Sequence, residues 1–430
     1  MMRTTLFHLA IILAAALPLN APGADLLELY ELARQSDPQL RSARAGFEVT
    51  REGANQARAV LYPDVRLTAN TAKIDEDSGD YSSNGWTLAL TQPLFRRDRL
   101  VAVSQSDLQT ERAQLDLTAA EQALMVRLSE RYFDVLAAID NLEFAQAEEK
   151  AIRRQLDQTK QRFEVGLIAI TDVHEAQARF DLSVAQKIVA TNQLANAGES
   201  LREVTGQYHK DLRSLSAKVP LATPDPADVE SWGEAALEQN PTVGAARLSS
   251  ESVRAEIDRL RSGHYPTVDL VASRNHSDVG GGISGARETD TSTLKLELMV
   301  PLYQGGLVSS QIRQAEQLYT QALEGLEQQR RAVDRQTRSA YLGVVASISQ
   351  VKALEQALVS SKSALQATEA GFEVGTRTIV DVLDSQRELF RAQRDVDRAR
   401  YDYVLNSLRL KQAAGSLQEI DLRQINTWMN

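Results

Sequence analysis

Apolar positions along this chain follow two rhythms. From residue 99 to 165 they recur at three- and four-residue steps (Leu108, Leu115, Leu124, Leu128, Phe133, Leu136, Ile139, Leu142), the period of an amphipathic helix. That stretch contains no glycine, no proline occurs between Pro93 and Pro220, and none follows Pro301. Because a proline costs a helix interior about 3 kcal/mol, such gaps favour long helices. One helix over 99–165 would run about 100 Å, the scale of a coiled coil or a helical tube. A second helix is expected over 172–205.

The other rhythm has a period of two. Val65, Leu67 and Ala69, then Trp86, Leu88 and Leu90, alternate with polar neighbours. Val268, Leu270 and Ala272, then Leu294, Leu296, Leu298 and Val300, do the same. Strands are therefore expected near 65–71, 86–92, 268–273 and 294–300, with polar loops at 75–85 and 278–290. The fold class is α+β. One apolar and one polar face per strand is the signature of a membrane β-strand, although a soluble hairpin packed on a helix gives the same pattern.

The chain is duplicated. Tyr62-Pro63 recurs as Tyr265-Pro266, and Pro93-Leu94-Phe95 as Pro301-Leu302-Tyr303. Phe163-Glu164-Val165-Gly166 recurs unchanged as Phe372-Glu373-Val374-Gly375, and Asp172-Val173 as Asp381-Val382, both 209 positions on. One repeat spans 25–212 and the other 227–417. Residues 213–226, ending in Pro224-Asp225-Pro226, form a linker, and 418–430 a C-terminal tail.

Residues 1–24 read as a secretory signal peptide, with Arg3, an apolar Leu6–Leu17 core and small residues for cleavage after Ala21 or Ala24. Beyond it no uninterrupted apolar run is long enough to cross a bilayer. Export supports the membrane reading of the strands. Four strands cannot close a barrel, and open sheet edges are not tolerated in lipid, so several chains must share one. Two chains would supply eight strands and three would supply 12.

Composition narrows the function. The net charge of −10 has the wrong sign for a nucleic-acid binder. With no cysteine there is no disulfide, thiolate metal site or acylated N-terminal cysteine. His8, His174, His209, His264 and His276 show no metal spacing, so no metal or other cofactor is expected. Gly280, Gly282 and Gly285 match a dinucleotide pattern by letter, but lie between strands and open no helix. No catalytic constellation appears, and the chain does not read as an enzyme.

The run from Gln161 to Val173, the run from Val374 to Asp384, and Pro301-Leu302-Tyr303-Gln304-Gly305-Gly306 together resemble the TolC family of outer-membrane export channels. So does Leu29-Tyr30 through Pro38, and the similarity covers nearly the whole chain after the signal peptide. The resemblance implies a homotrimer with a 12-stranded barrel in outer-membrane lipid, continued by an α-helical tube across the periplasm. It also implies a periplasmic adaptor protein and an inner-membrane ABC or other transporter as partners. Type I protein secretion is the favoured use, because the lipoprotein cysteine common among drug-efflux relatives is absent. Multidrug or small-molecule efflux is the alternative, and a soluble periplasmic coiled-coil scaffold a remote third reading.

Gly166 and Gly375 each end a long helix, where glycine takes the left-handed conformation without penalty. Asp172 with Glu175, and Thr378 with Asp381, have the spacing of a capping box for the helix that follows. Capping alone accounts for much of both motifs. The resemblance adds a periplasmic gate in which Arg377 bonds to Thr171 and Asp172. Where the family has a tyrosine in that network this chain has Phe372, which cannot donate a hydrogen bond. Asp381 and Asp384, three apart on one helical face, would form selectivity rings under threefold symmetry. Gly166, Leu167, Gly375 and Thr376 would form the tip on which the adaptor docks.

Overall fold

The computed structural model describes residues 23–75, 80–209, 211–216, 219–281 and 285–429. The signal peptide and its cleavage site lie outside the described residues except at their last two positions, as does Gly282 of the glycine-rich loop. The first half runs α1 (Leu26–Ser36), α2 (Pro38–Ala59), β1 (Asp64–Ile74), β2 (Tyr81–Phe95), α3 (Arg97–Glu164) and α4 (Ile170–Thr205). The second runs α5 (Val229–Gln239), α6 (Pro241–Arg261), a 3₁₀ turn (Ser262–His264), β3 (Thr267–Gly280), β4 (Ala286–Met299), α7 (Leu307–Glu373) and α8 (Ile379–Ala414). A short α9 (Glu419–Asn426) closes the chain.

The duplication reaches down to the caps. Asp25 and Asp37 accept from the Glu28 and Leu40 amides at 2.8 Å and start α1 and α2. Asp228 and Asn240 do the same for α5 and α6, accepting from Ser231 and Thr242 at 2.9 Å. Pro38 and Pro241 each occupy the first turn, where a missing N–H costs nothing. The two long helices have 68 and 67 residues, each about 100 Å at 1.5 Å per residue. By length and composition α7 contains one stretch apolar enough to cross a membrane, interrupted by charged and polar residues. Only 22% of that stretch is buried, with Val344, Ile348 and Val351 of α7 entering the helical core.

The strands form one antiparallel sheet in the order β1-β2-β3-β4. They are longer than the alternation suggests, because the polar ends of each hairpin stay paired beyond the apolar rungs. The register puts Val65, Leu90, Ala272 and Leu294 on one rung, and Leu67, Leu88, Arg274 and Ser292 on the next. Arg66, Thr68, Thr87, Asn275, Thr293 and Lys295 point to the other side, so one face carries an apolar band and the other is mostly polar. Within the chain β1 and β4 are each paired on one side only, which leaves two open edges for neighbouring copies. The register also sets His276 opposite Asp290, with Glu288 on the following rung. A histidine without metal-like spacing along the chain thus has two carboxylates beside it in space.

At the sheet-to-helix junction Arg96 clamps Asp269 through two nitrogens, Nε at 3.1 Å, tying the start of α3 to β3. The main core lies midway along α3. Leu124, Leu128, Tyr132 and Phe133 are fully buried there against Leu26 and Leu29 of α1, Leu201 of α4, Leu408 of α8 and Leu422 of α9. The Tyr132 hydroxyl donates to the Arg213 carbonyl at 2.7 Å, and Phe133 stacks on Tyr401 with centroids 5.4 Å apart. Residues bordering the two repeats are therefore pinned onto the waist of the helical tube.

Candidate functional site

Two helical hairpins, α3–α4 and α7–α8, end in tips remote from the sheet, and the turns share one backbone. Gly166 and Gly375 have φ of 74° and 78°. The Gly166 amide donates to Phe163 O and the Leu167 amide to Arg162 O, both at 2.9 Å. In the second tip Gly375 donates to Phe372 O at 3.1 Å and Thr376 to Gly371 O at 2.8 Å. This pairing satisfies the last carbonyls of each long helix and requires the positive φ that glycine adopts freely.

The side chains differ. In the second tip Thr378 caps α8 and forms a full capping box with Asp381. Asp381 Oδ2 accepts from the Thr378 amide at 2.8 Å and from its hydroxyl at 2.9 Å. Those bonds, backbone first, hold the Asp381 carboxyl below its ordinary pKa, and the nearby Arg377 charge adds to the effect. In the first tip the equivalent of Thr378 is Ala169, which has no side-chain acceptor, and α4 begins uncapped. The expected Asp172–Glu175 box is not formed. The helix starts at Ile170, two residues ahead of Asp172, so Asp172 sits at the third position, where Asp381 sits in α8.

Leu167, Gly166, Gly375, Thr376 and Arg377 are all exposed at the two tips, Leu167 by 73%. Thr171 is exposed and Asp172 half-buried. Within one chain, among the described residues, the Arg377 guanidinium makes no hydrogen bond or ion pair, either with Thr171 or with Asp172. Its stem folds over Gly371, where an added Cβ would come within 2.8 Å of Arg377 Cγ.

Two cross-tip contacts escaped sequence reasoning. The Arg162 guanidinium lies 4.8 Å from the Phe372 ring centroid, so the ring that lacks a hydroxyl holds a cation instead. Arg179 Nη1 of α4 donates to Asp384 Oδ1 of α8 at 2.8 Å, while Arg387 lies 3.5 Å from the same oxygen. The Asp384 bond raises the Arg179 pKa further. Asp381 and Asp384 are therefore unlike: one carboxylate is tied only to its own helix start, the other is paired with arginine. No chain-local spacing foretells a bond between residues 205 apart.

A sheet with an apolar outer face, two open edges and two hairpins of about 100 Å is the subunit of an outer-membrane channel. Three such sheets complete a 12-stranded barrel. The model of the family described as outer membrane efflux protein matches residues 29–207 and 232–416. The outer membrane protein TolC of Vibrio cholerae is 41% identical over 408 residues, covering 94% of this chain and 93% of the relative. The alkaline protease secretion protein AprF of Pseudomonas aeruginosa is 30% identical, covering 94% and 87%. The crystal structure of the Campylobacter jejuni CmeC outer membrane channel superposes with a TM-score of 0.77 at 14% identity, over 94% of this chain and 90% of that one. The chain belongs to the outer membrane efflux protein family, that of TolC, and is a channel component rather than an enzyme.

Proposed function

We propose that this channel is the outer-membrane conduit of a tripartite export system, used chiefly for type I protein secretion. The observation that carries the conduit reading is the pair of 68- and 67-residue helices rising from one sheet and ending in exposed tips. A periplasmic adaptor would dock on Gly166, Leu167, Gly375 and Thr376, and an inner-membrane ABC or other transporter would supply the energy. Residues 1–24 would be cleaved on export. Protein cargo is favoured by the absence of a lipoprotein cysteine and by likeness to a relative whose name is that of a protease secretion protein. Efflux of small molecules is the second reading, favoured by the family's own description.

In the gate, Arg377 would meet Thr171 and Asp172 of a neighbouring protomer, since its guanidinium is exposed and has no partner among the described residues of its own chain. Charge-assisted hydrogen bonds of that kind would hold the tips closed. Asp381, tied only to its own helix start, would supply the carboxylate ring. Asp384, already paired with Arg179, would contribute less charge to the opening. Deleting the gene tests the cargo: loss of particular proteins from the culture supernatant with normal dye accumulation supports secretion. Dye retention with an unchanged supernatant would make it an efflux channel.

A further inference from the structure

We propose that His276, Glu288 and Asp290 form a divalent-cation site on the outward face of the barrel rim, suited to zinc or another first-row ion that accepts mixed nitrogen and oxygen donors. One ligand atom from each residue lies within 4.8 Å of the other two. His276 Nδ1 and Asp290 Oδ1 share a hydrogen bond at 3.2 Å, which a bound ion would replace. Metal–ligand bonds of about 2.1 Å in a tetrahedron separate neighbouring donors by about 3.4 Å, so this pair is already spaced to bind. Glu288, exposed on the following rung, offers the third ligand atom. The imidazole is held in place before any ion arrives, because it stacks on Trp86 with centroids 5.9 Å apart and planes 21° from parallel.

The location follows from the register. His276, Asp290 and Trp86 share a rung on the face that carries Leu88, Leu90 and Leu294, two rungs beyond Leu294 toward the β3–β4 turn. The site therefore faces outward above the apolar band, where a tryptophan marks the interface. One nitrogen and two carboxylates make a three-ligand set of borderline softness, which favours zinc over magnesium or calcium. Three protein ligands also leave a coordination position open to the solvent side. An ion there would staple β3 to β4 near the turn.

The test uses the purified oligomer in detergent, dialysed against zinc, with bound metal measured by mass spectrometry and affinity by titration calorimetry. About one zinc per chain is expected. His276→Gln and Asp290→Asn should each weaken binding about tenfold or more. Glu297→Gln, on the polar face of the same strand, should leave it unchanged. X-ray absorption of the zinc-loaded wild-type protein should show one imidazole among oxygen ligands, a readout that needs no variant to assemble. Equal zinc binding by wild type and both rim variants, equal loss in Glu297→Gln, or no imidazole scattering would each overturn the assignment.

Discussion

The two hairpin tips have the same backbone and opposite chemistry. Each ends in a left-handed glycine and closes the same pair of bonds. The three residues after that glycine are Leu167-Ile168-Ala169 in one tip and Thr376-Arg377-Thr378 in the other. The first tip therefore adds an apolar side chain to the surface and begins its next helix without a cap. The second spends its hydroxyls on holding the turn, with Thr376 Oγ1 donating to Gly371 O at 3.0 Å and Thr378 capping α8. Duplication supplied one turn twice, and three substitutions separate a sticky end from a polar, anchored one. The gate proposal follows that division, placing the exposed cation on the anchored side.

Replacing residues 376–378 by Leu-Ile-Ala should erase the difference between the tips. The capping box, the Thr376 bond and the Arg377 charge all go at once, and amide exchange in the first turn of α8 should rise tenfold or more, to the level of α4. Thr378→Ala alone should cost the α8 start about 1 kcal/mol in the same exchange measurement. The reciprocal Ala169→Thr should protect the start of α4 by a comparable amount, because Asp172 already stands where a capping partner belongs.

Acid should loosen the cap of the second tip. The Asp381 pKa is depressed by its bonds to Thr378, so the stabilisation is present above the ordinary carboxylate range and is lost as pH falls through the depressed value. Protection factors in the first turn of α8 should therefore drop on acidification relative to α4, which has no such bond. The smallest effect is expected from Arg162→Ala, which removes the cation over Phe372 and should loosen the contact between tips by about 0.5–1 kcal/mol.

Long helices, glycine-ended tips and the repeat were legible in the sequence because each is written in local signals: period, absence of breakers and matching words. The strands were legible in type but not in length, since their polar ends carry no alternation. Reading Asp172 and Glu175 as a capping box placed the α4 start too late, and spacing alone could not show that the true cap position holds Ala169. The Arg179–Asp384 bond, the Arg162–Phe372 contact and the cluster around His276 depend on which helix or strand lies beside which. The first two join residues 205 and 210 apart, and such juxtapositions come from the packing of the fold.

Single-channel conductance of the Arg377→Glu variant in a planar bilayer is the most direct test of the gate. A severalfold rise over the wild-type channel is expected, because a carboxylate facing Asp172 across the protomer boundary would repel it. Conductance equal to wild type in a correctly assembled trimer would contradict it.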